Sequence, residues 1–494
     1  MSFTTLNFLI FLPIVFIIFH FSRGKVGWFG LLLASYCFYA GAGSLYLLAV
    51  LAGVTLFSFA FGRLLGVISD PRMKRAVLVA GIGGNILVLL GMKYLPFLAE
   101  SSNSIISLFH YKAAIPVPQV LVSVGISFFV FQAIGYLVDI YLDVVEVERH
   151  VGIFALTLAF FPKLLQGPIE RCEDLAGQFR RPYFFDFESA RLGIILFFWG
   201  VFKKVVIADR LALFVDSVYS NPQLFGGLSL ATASVFYSFQ IYFDFSGYTD
   251  MAIGIARLFN VRLAENFNRP YLASSVSDFW RRWHMTFSRW ILNYIFKPLQ
   301  MRWRYWGNWG TSVALIITFF ISGIWHGASW GFIVWGIIHG MYMACSVYWK
   351  PYQKKIYRWL GVEKSFWLNS WQTAITFMLI TFAWIFFRAD SLTNGWYIVS
   401  HFLSSPRQHS VSLLEFIQNN LLMGQSIWDF YLILVLFTCM GAVSWFCCRT
   451  GKQDLPELIV TFSYPYRWGF YYALAFGIVF GGMFDNGTFI YFQF

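Results

Sequence analysis

Charge is what this chain has least of. Of its 494 residues only 12% are Asp, Glu, Lys or Arg while 58% are hydrophobic, an apolar excess that no soluble domain of this size needs. Acidic residues are the scarcer sign, 24 against 36 Lys and Arg, which leaves a formal charge of +12. The six cysteines (37, 172, 345, 439, 447 and 448) show no metal-ligand spacing and lie mostly in apolar runs, so neither a zinc site nor a disulfide framework is expected. The adjacent Cys447 and Cys448 at a helix end read as packing residues. The first 21 residues, MSFTTLNFLIFLPIVFIIFHF, lack a basic leading region and a small-residue cleavage site, and are expected to be a retained helix rather than a signal peptide. Internal repeats and inverted-repeat halves are also missing, which removes the main sequence sign of a transporter.

Apolar runs of about 18 residues recur instead, so the expected class is an all-α polytopic membrane protein. They fall near 6–21, 28–41, 45–61, 76–98 and 119–142, then near 190–207 and 228–247, and finally near 310–325, 329–349, 366–388, 428–448 and 466–484. The expected total is about 11 to 13 membrane segments. Lys and Arg cluster in the short links, as in Arg23 and Lys25 or Arg63, Arg72, Lys74 and Arg75. That is the positive-inside pattern, and it accounts for the net charge without nucleic acid. Alternation then puts the N-terminus and the C-terminal segment on the exoplasmic side. Between Asp143 and Arg191 the chain turns mixed, with Pro162, Gly167 and Pro168 breaking a stretch near 151–165 too short to span. This block is expected to be re-entrant or interfacial, as a cytoplasm-facing floor. Three regions are expected: N-terminal helices over 1–118, a core over 119–390, and C-terminal helices over 391–494.

Chemistry concentrates in a few stretches. In FISGIWHGASWGFIVWGIIH (Phe320–His339), His326 sits amid apolar residues, with Ser322, Ser329 and Trp330 at helical spacing. An ionisable group there is by default a functional hypothesis; the bland reading is a buried histidine bonding a neighbouring helix. His339, thirteen residues on, would lie about 20 Å along a continuous helix, too far for direct partnership. Read as one helix from Ser277, SVSDFWRRWHMTFSRWILNYIF places Trp280, Trp283, Phe287, Trp290, Ile291 and Tyr294 on one face, with Asp278, Arg281, Arg282 and Arg289 opposite. That profile fits a helix lying in the membrane interface, with His284 at the edge of the stripe. Its arginines suit lipid phosphates or an anionic substrate equally. Asp244 and Asp250 in YFDFSGYTDMAIG are six apart and share no helical face, so pairing with Lys or Arg is favoured over joint acid–base work. The segment FIYFQF reads either as an aromatic belt or as the carrier of a nucleophilic Tyr491, whose phenol needs a base beside it.

Taken together, SVGISFFVFQAIGYLVDIY, FFPKLLQGPI, YFDFSGYTDMAIG, ENFNRPY, FWRRWHMTFSRW, ISGIWHGASWGFIVWGIIHG, AWIFFRAD and FIYFQF resemble, in order, the membrane-bound O-acyltransferase superfamily. The resemblance is to its bacterial branch of alginate and peptidoglycan O-acetyltransferases. It implies an all-α core around a central tunnel, with His326 as main catalytic residue and His284 as its companion. It also implies acetyl-CoA as donor without a metal, and an acetyl group carried outward through the bacterial cytoplasmic (inner) membrane. The expected recipient is an exoplasmic SGNH-type transferase that modifies a polysaccharide, and Tyr491 matches a tail residue proposed to carry the acyl group. In that scheme His326 is the base and His284 orients the donor or bonds the thioester oxygen. Arg281, Arg282 and Lys203–Lys204 meet the coenzyme phosphates, with Trp325 and Trp330 as aromatic walls. D-alanyl transfer to teichoic acid and a non-enzymatic polysaccharide or lipid transporter are the competing readings.

Overall fold

The computed structural model describes residues 1–21, 27–42, 45–109, 115–118, 125–181, 183–363, 365–404, 427–452, 455–484 and 489–490. The fold is 81% helical, with no strand among the described residues. Six of the described helices are long and apolar enough to cross a bilayer. The chain divides into two compact units, Met1–Phe197 with Thr249–Ala264, and Phe198–Tyr248 with Glu265–Gln493.

The first unit contains α1 (Leu6–Phe21), α2 (Gly27–Ala42), α3 (Leu45–Val67), α4 (Pro71–Leu89), α5 (Leu95–Leu108), α6 (Ile126–Tyr141), α7 (Val151–Ala159), α8 (Cys172–Phe179) and most of α9 (Phe187–Phe202). Asp70 starts α4 by accepting the Met73 N–H at 2.8 Å, with Pro71 in the first turn, where its missing N–H has no partner to lose. Helix α6 packs on α3 and α4 and is buried nearly all round, which is why its sequence shows little polar alternation. The broken stretch Phe160–Ile169 is buried within this unit. Its Lys163 is fully buried and donates to the side-chain carbonyl of Gln132. Irregular backbone inside a membrane protein is tolerated in such packed surroundings.

The second unit holds α10 (Asp209–Ser220), most of α11 (Gly227–Leu258), α12 (Val276–Arg282), α13 (Met285–Ile291), α14 (Lys297–Arg302), α15 (Gly307–His326), α16 (Trp330–Trp359), α17 (Phe366–Arg388), α18 (Leu392–His401), α19 (Ile427–Thr450), α20 (Leu455–Ile459) and α21 (Tyr464–Gly481). Its centre is the antiparallel hairpin of α15 and α16. A Cβ added at Gly323 would stand 2.3 Å from the Phe332 carbonyl oxygen, and one at Gly336 would stand 2.4 Å from that of Phe319. Only glycine lets the two backbones come so close.

Two expectations from periodicity are corrected here. The stretch Phe320–His339 breaks between His326 and Trp330, at an extended Gly327 (φ −172°) and the Ser329 cap, as the separate apolar segments near 310–325 and 329–349 suggest, and it folds back on itself, so the continuous-helix spacing drawn from His326 to His339 does not hold. The stretch from Ser277 is also broken, at His284, whose backbone is left-handed (φ 42°). Its apolar residues Trp280, Trp283, Phe287, Trp290 and Ile291 are buried in protein rather than laid on lipid, while Arg281 and Arg289 are exposed.

Candidate active site

His284 owes its place to a local backbone trap. Ser275 caps α12 by accepting the Asp278 N–H at 3.2 Å, and the helix ends after Arg282. A neighbouring extended strand of chain then holds the break open. The Asn268 N–H donates to the Arg282 carbonyl and the Met285 N–H to the Asn266 carbonyl, both at 2.9 Å. The side chain of Asn266, fully buried, gathers the rest: its Oδ1 accepts Thr286 Oγ1–H at 2.6 Å, the Thr286 N–H at 3.3 Å and His284 Nδ1 at 3.3 Å. A left-handed backbone at a non-glycine residue is a strained choice that surrounding bonds must enforce. His284 lies outside the spanning helices and is fully buried, and that burial pushes its pKa down to about 3. The ring is therefore neutral at physiological pH. Because Asn266 Oδ1 is an acceptor, Nδ1 of His284 carries the proton and Nε2 holds a lone pair.

His326 is the last residue of α15 and is buried. Its ring centroid lies 4.8 Å from Trp325, 4.9 Å from Trp335, 5.2 Å from Phe387 and 5.6 Å from Phe287. Phe287 stacks on His284 at 5.0 Å. The structure thus brings the two histidines, 42 positions apart in sequence, onto one aromatic ring. Trp325 completes the contact, stacked on Phe287 at 4.2 Å. Trp330, by contrast, is 52% exposed.

Because the hairpin folds back, His339 joins the cluster through Trp335, whose ring is 4.9 Å from it and 4.9 Å from His326. This corrects the separation expected for a straight helix. His339 is fully buried and accepts the Trp280 indole N–H at 3.2 Å. Trp384 stacks on Trp335 at 5.7 Å and closes the box. Asn266, Trp335 and Trp384 carry no periodic signal. Asn266 sits in ENFNRPY, a stretch read only for its resemblance, and its position in an extended segment hides it from any helical count.

A cavity of about 850 Å³ opens beside this box in the same unit. Trp280 and Phe319 form part of its wall, and both rings also touch His339. Around it stand Arg281, Arg289, Lys350 and Lys354, and no carboxylate is among its described lining residues. Arg282 is not among them and pairs with Asp278 at 3.0 Å. Lys204 is removed from any phosphate-binding role: it is buried between Asp209 and Asp244, at 2.7 Å from each. Lys203 is also buried, with its ammonium over the Trp199 ring. Tyr491 lies outside the described residues.

Comparison with known proteins places these features in a family. Residues 154–389 match the family model of the membrane-bound O-acyltransferases. The chain is 37% identical to a probable alginate O-acetylase of Pseudomonas putida, over 78% of this chain and 76% of that protein. It is 34% identical to a peptidoglycan O-acetyltransferase of Helicobacter pylori, over 74% and 71%. To a teichoic acid D-alanyltransferase of Bacillus subtilis it is 27% identical, over 55% and 70%.

Proposed function

This chain belongs to the membrane-bound O-acyltransferase family, and on that premise we propose that it is an O-acetyltransferase drawing acetyl from acetyl-CoA. The acetyl group is passed outward for O-acetylation of an extracytoplasmic polysaccharide, alginate-like or peptidoglycan, through an SGNH-type partner transferase. Relatives bearing alginate and peptidoglycan acetylation in their names support the cargo. The observation that carries the reading is the pair of buried histidines on Phe287, with a basic, apolar-floored cavity beside their aromatic box.

The donor enters through that cavity. Its phosphates meet Arg281, Arg289, Lys350 and Lys354, and its pantetheine arm lies along the apolar floor towards the box. Arg282, already paired with Asp278, contributes less. His326 then acts as general base. It takes the proton of the attacking hydroxyl as the new C–O bond forms. The C–S bond breaks, and the departing thiolate takes the proton back from His326. Of the two roles considered for His284, orienting the donor fits better than hydrogen-bonding the thioester oxygen, since its Nδ1–H is committed to Asn266. Trp325 walls the site on the donor side; Trp330, exposed, is not needed there.

The attacking hydroxyl in this reading is the Tyr491 phenol, and the aryl ester it forms is reactive enough to hand acetyl on outside the cytoplasm. The protein then sits in a bacterial cytoplasmic membrane with both termini exoplasmic, as the clustering of Lys and Arg in alternate links supports.

The test is intact-mass analysis of purified protein after incubation with labelled acetyl-CoA, alongside His326→Ala and Tyr491→Phe. Label on the terminal peptide, lost in both variants, supports the relay with His326 as its base. Thioester turnover that needs His326 but leaves no label discards the Tyr491 intermediate. Neither label nor turnover in an active membrane preparation points to D-alanyl transfer instead.

A further inference from the structure

The second unit contains a buried charge cluster that the mechanism leaves unused. Lys204, 2% exposed in its side chain, bridges Asp209 and Asp244, which are 12% and 1% exposed. Two carboxylates share this one ammonium away from water. Such charge is costly unless further donors reach it. One donor comes from an unexpected place: the Ile490 main-chain N–H bonds Asp244 Oδ2 at 3.0 Å, while Oδ1 of the same carboxylate takes Lys204. Phe489 lies beneath the Lys204 ammonium, 4.7 Å from ring centre to nitrogen, and meets the edge of Tyr248 at 5.2 Å. Tyr248 stands one helical turn beyond Asp244 on α11. Phe489 is fully buried and Ile490 nearly so. The chain leading to this point is held by neighbours of the cluster, Met483 N–H on the Val205 carbonyl at 2.9 Å and Arg210 on the Gly481 carbonyl at 2.8 Å.

We infer that Asp244, oriented by Lys204 and Asp209, is a positioning residue that docks the chain at Phe489–Ile490 by its backbone inside the unit carrying His284 and His326. The chemistry it recognises is a main-chain N–H following a buried aromatic ring. An aromatic belt at a membrane surface needs neither: a lipid-facing Phe489 gains nothing from an ammonium above it, and an Ile490 N–H in the headgroup region bonds water. An apolar pair at 204 and 244 would fill the same volume without attracting the segment. The residue that follows the docked N–H in sequence is Tyr491. The consequence for transfer therefore rests on the relay reading above, whereas the dock stands on its own geometry.

The experiment uses the full chain in detergent. Hydrogen exchange of the terminal peptide is followed by mass spectrometry in the wild type, in Tyr491→Phe and in the double variant Lys204→Met with Asp244→Leu, which keeps the volume and removes the Lys204–Asp244 ion pair. The Ile490 amide is expected to be protected in the wild type and in Tyr491→Phe, and to exchange about tenfold or more faster in the double variant, the loss of one bond to a charged acceptor. An Ile490 amide that exchanges as fast in the wild type as in the double variant overturns the dock. Acetyl transfer is then compared between Ile490→Pro, which deletes the N–H, and Ile490→Ala, which keeps it. Transfer about tenfold lower in the proline variant supports positioning, and equal transfer refutes it. Full transfer by Tyr491→Phe would sink the relay while the exchange result still decides the dock.

Discussion

At the residue scale, His284 is where backbone strain, burial and tautomer meet. Its folded pKa, near 3, lies below the ordinary imidazole value of 6.5. Between those values the unfolded chain binds a proton that the folded one refuses, so His284 lowers stability as pH falls below about 6.5, with a limiting slope of roughly 1.4 kcal/mol per pH unit. Thermal unfolding of the wild type and His284→Gln from pH 7 to 4.5 is expected to show the steeper decline in the wild type; parallel curves would contradict a neutral buried ring. Asn266→Ala removes the acceptor that sets the His284 tautomer and holds Thr286. About a tenfold to hundredfold fall in kcat with a smaller change in KM is expected from losing such an orienting partner. The histidines themselves were legible in the sequence as ionisable residues amid apolar ones. Asn266 was not, because three bonds converge on it only after two distant segments align.

At the element scale, the hairpin of α15 and α16 decides whether His326, Trp335 and His339 meet at all. Its close approach hangs on Gly323 and Gly336, whose partners are backbone oxygens that have no rotamer to give. Gly336→Ala is therefore expected to destabilise by about 1–3 kcal/mol and to lower transfer with it. Gly441→Ala on α19, where nothing lies within 4 Å, is expected to be neutral or slightly stabilising. Melting curves of both variants read the contrast directly. Periodicity saw the apolar faces but measured His326 to His339 along a continuous helix and drew one straight helix through His284. A helical count has no term for a turn enforced by contacts from elsewhere in the chain, and both breaks are of that kind.

At the scale of the whole molecule, the proposed orientation and donor entry rest on the basic cavity and on the pattern of basic links. Reversing charge at the cavity with Arg281→Glu and Lys350→Glu is expected to raise the KM for acetyl-CoA about tenfold or more while kcat stays within about twofold, since long-range attraction acts on capture rather than on the reacting bond. The wild-type KM is expected to climb with salt as the phosphate contacts are screened. A tag at the N-terminus is expected to react with a membrane-impermeant reagent in intact cells; labelling only after permeabilisation would reverse the orientation drawn from the links.

Composition together with recurring apolar runs of helix-spanning length marked this chain as an all-α, multi-pass membrane protein, because so apolar a sequence needs a bilayer as its solvent. Ordered short motifs led to its family, and ionisable residues in apolar runs marked His284 and His326. Tertiary structure decided what each group is free to do. It packed the two histidines on Phe287, spent Lys204 on Asp209 and Asp244, and committed one nitrogen of His284 to Asn266. It also left Trp330 half exposed. The physical reason is the same in each case. A sequence states which groups can ionise or donate, but their pairing depends on distances of about 3 Å between residues far apart in the chain, and only packing sets those.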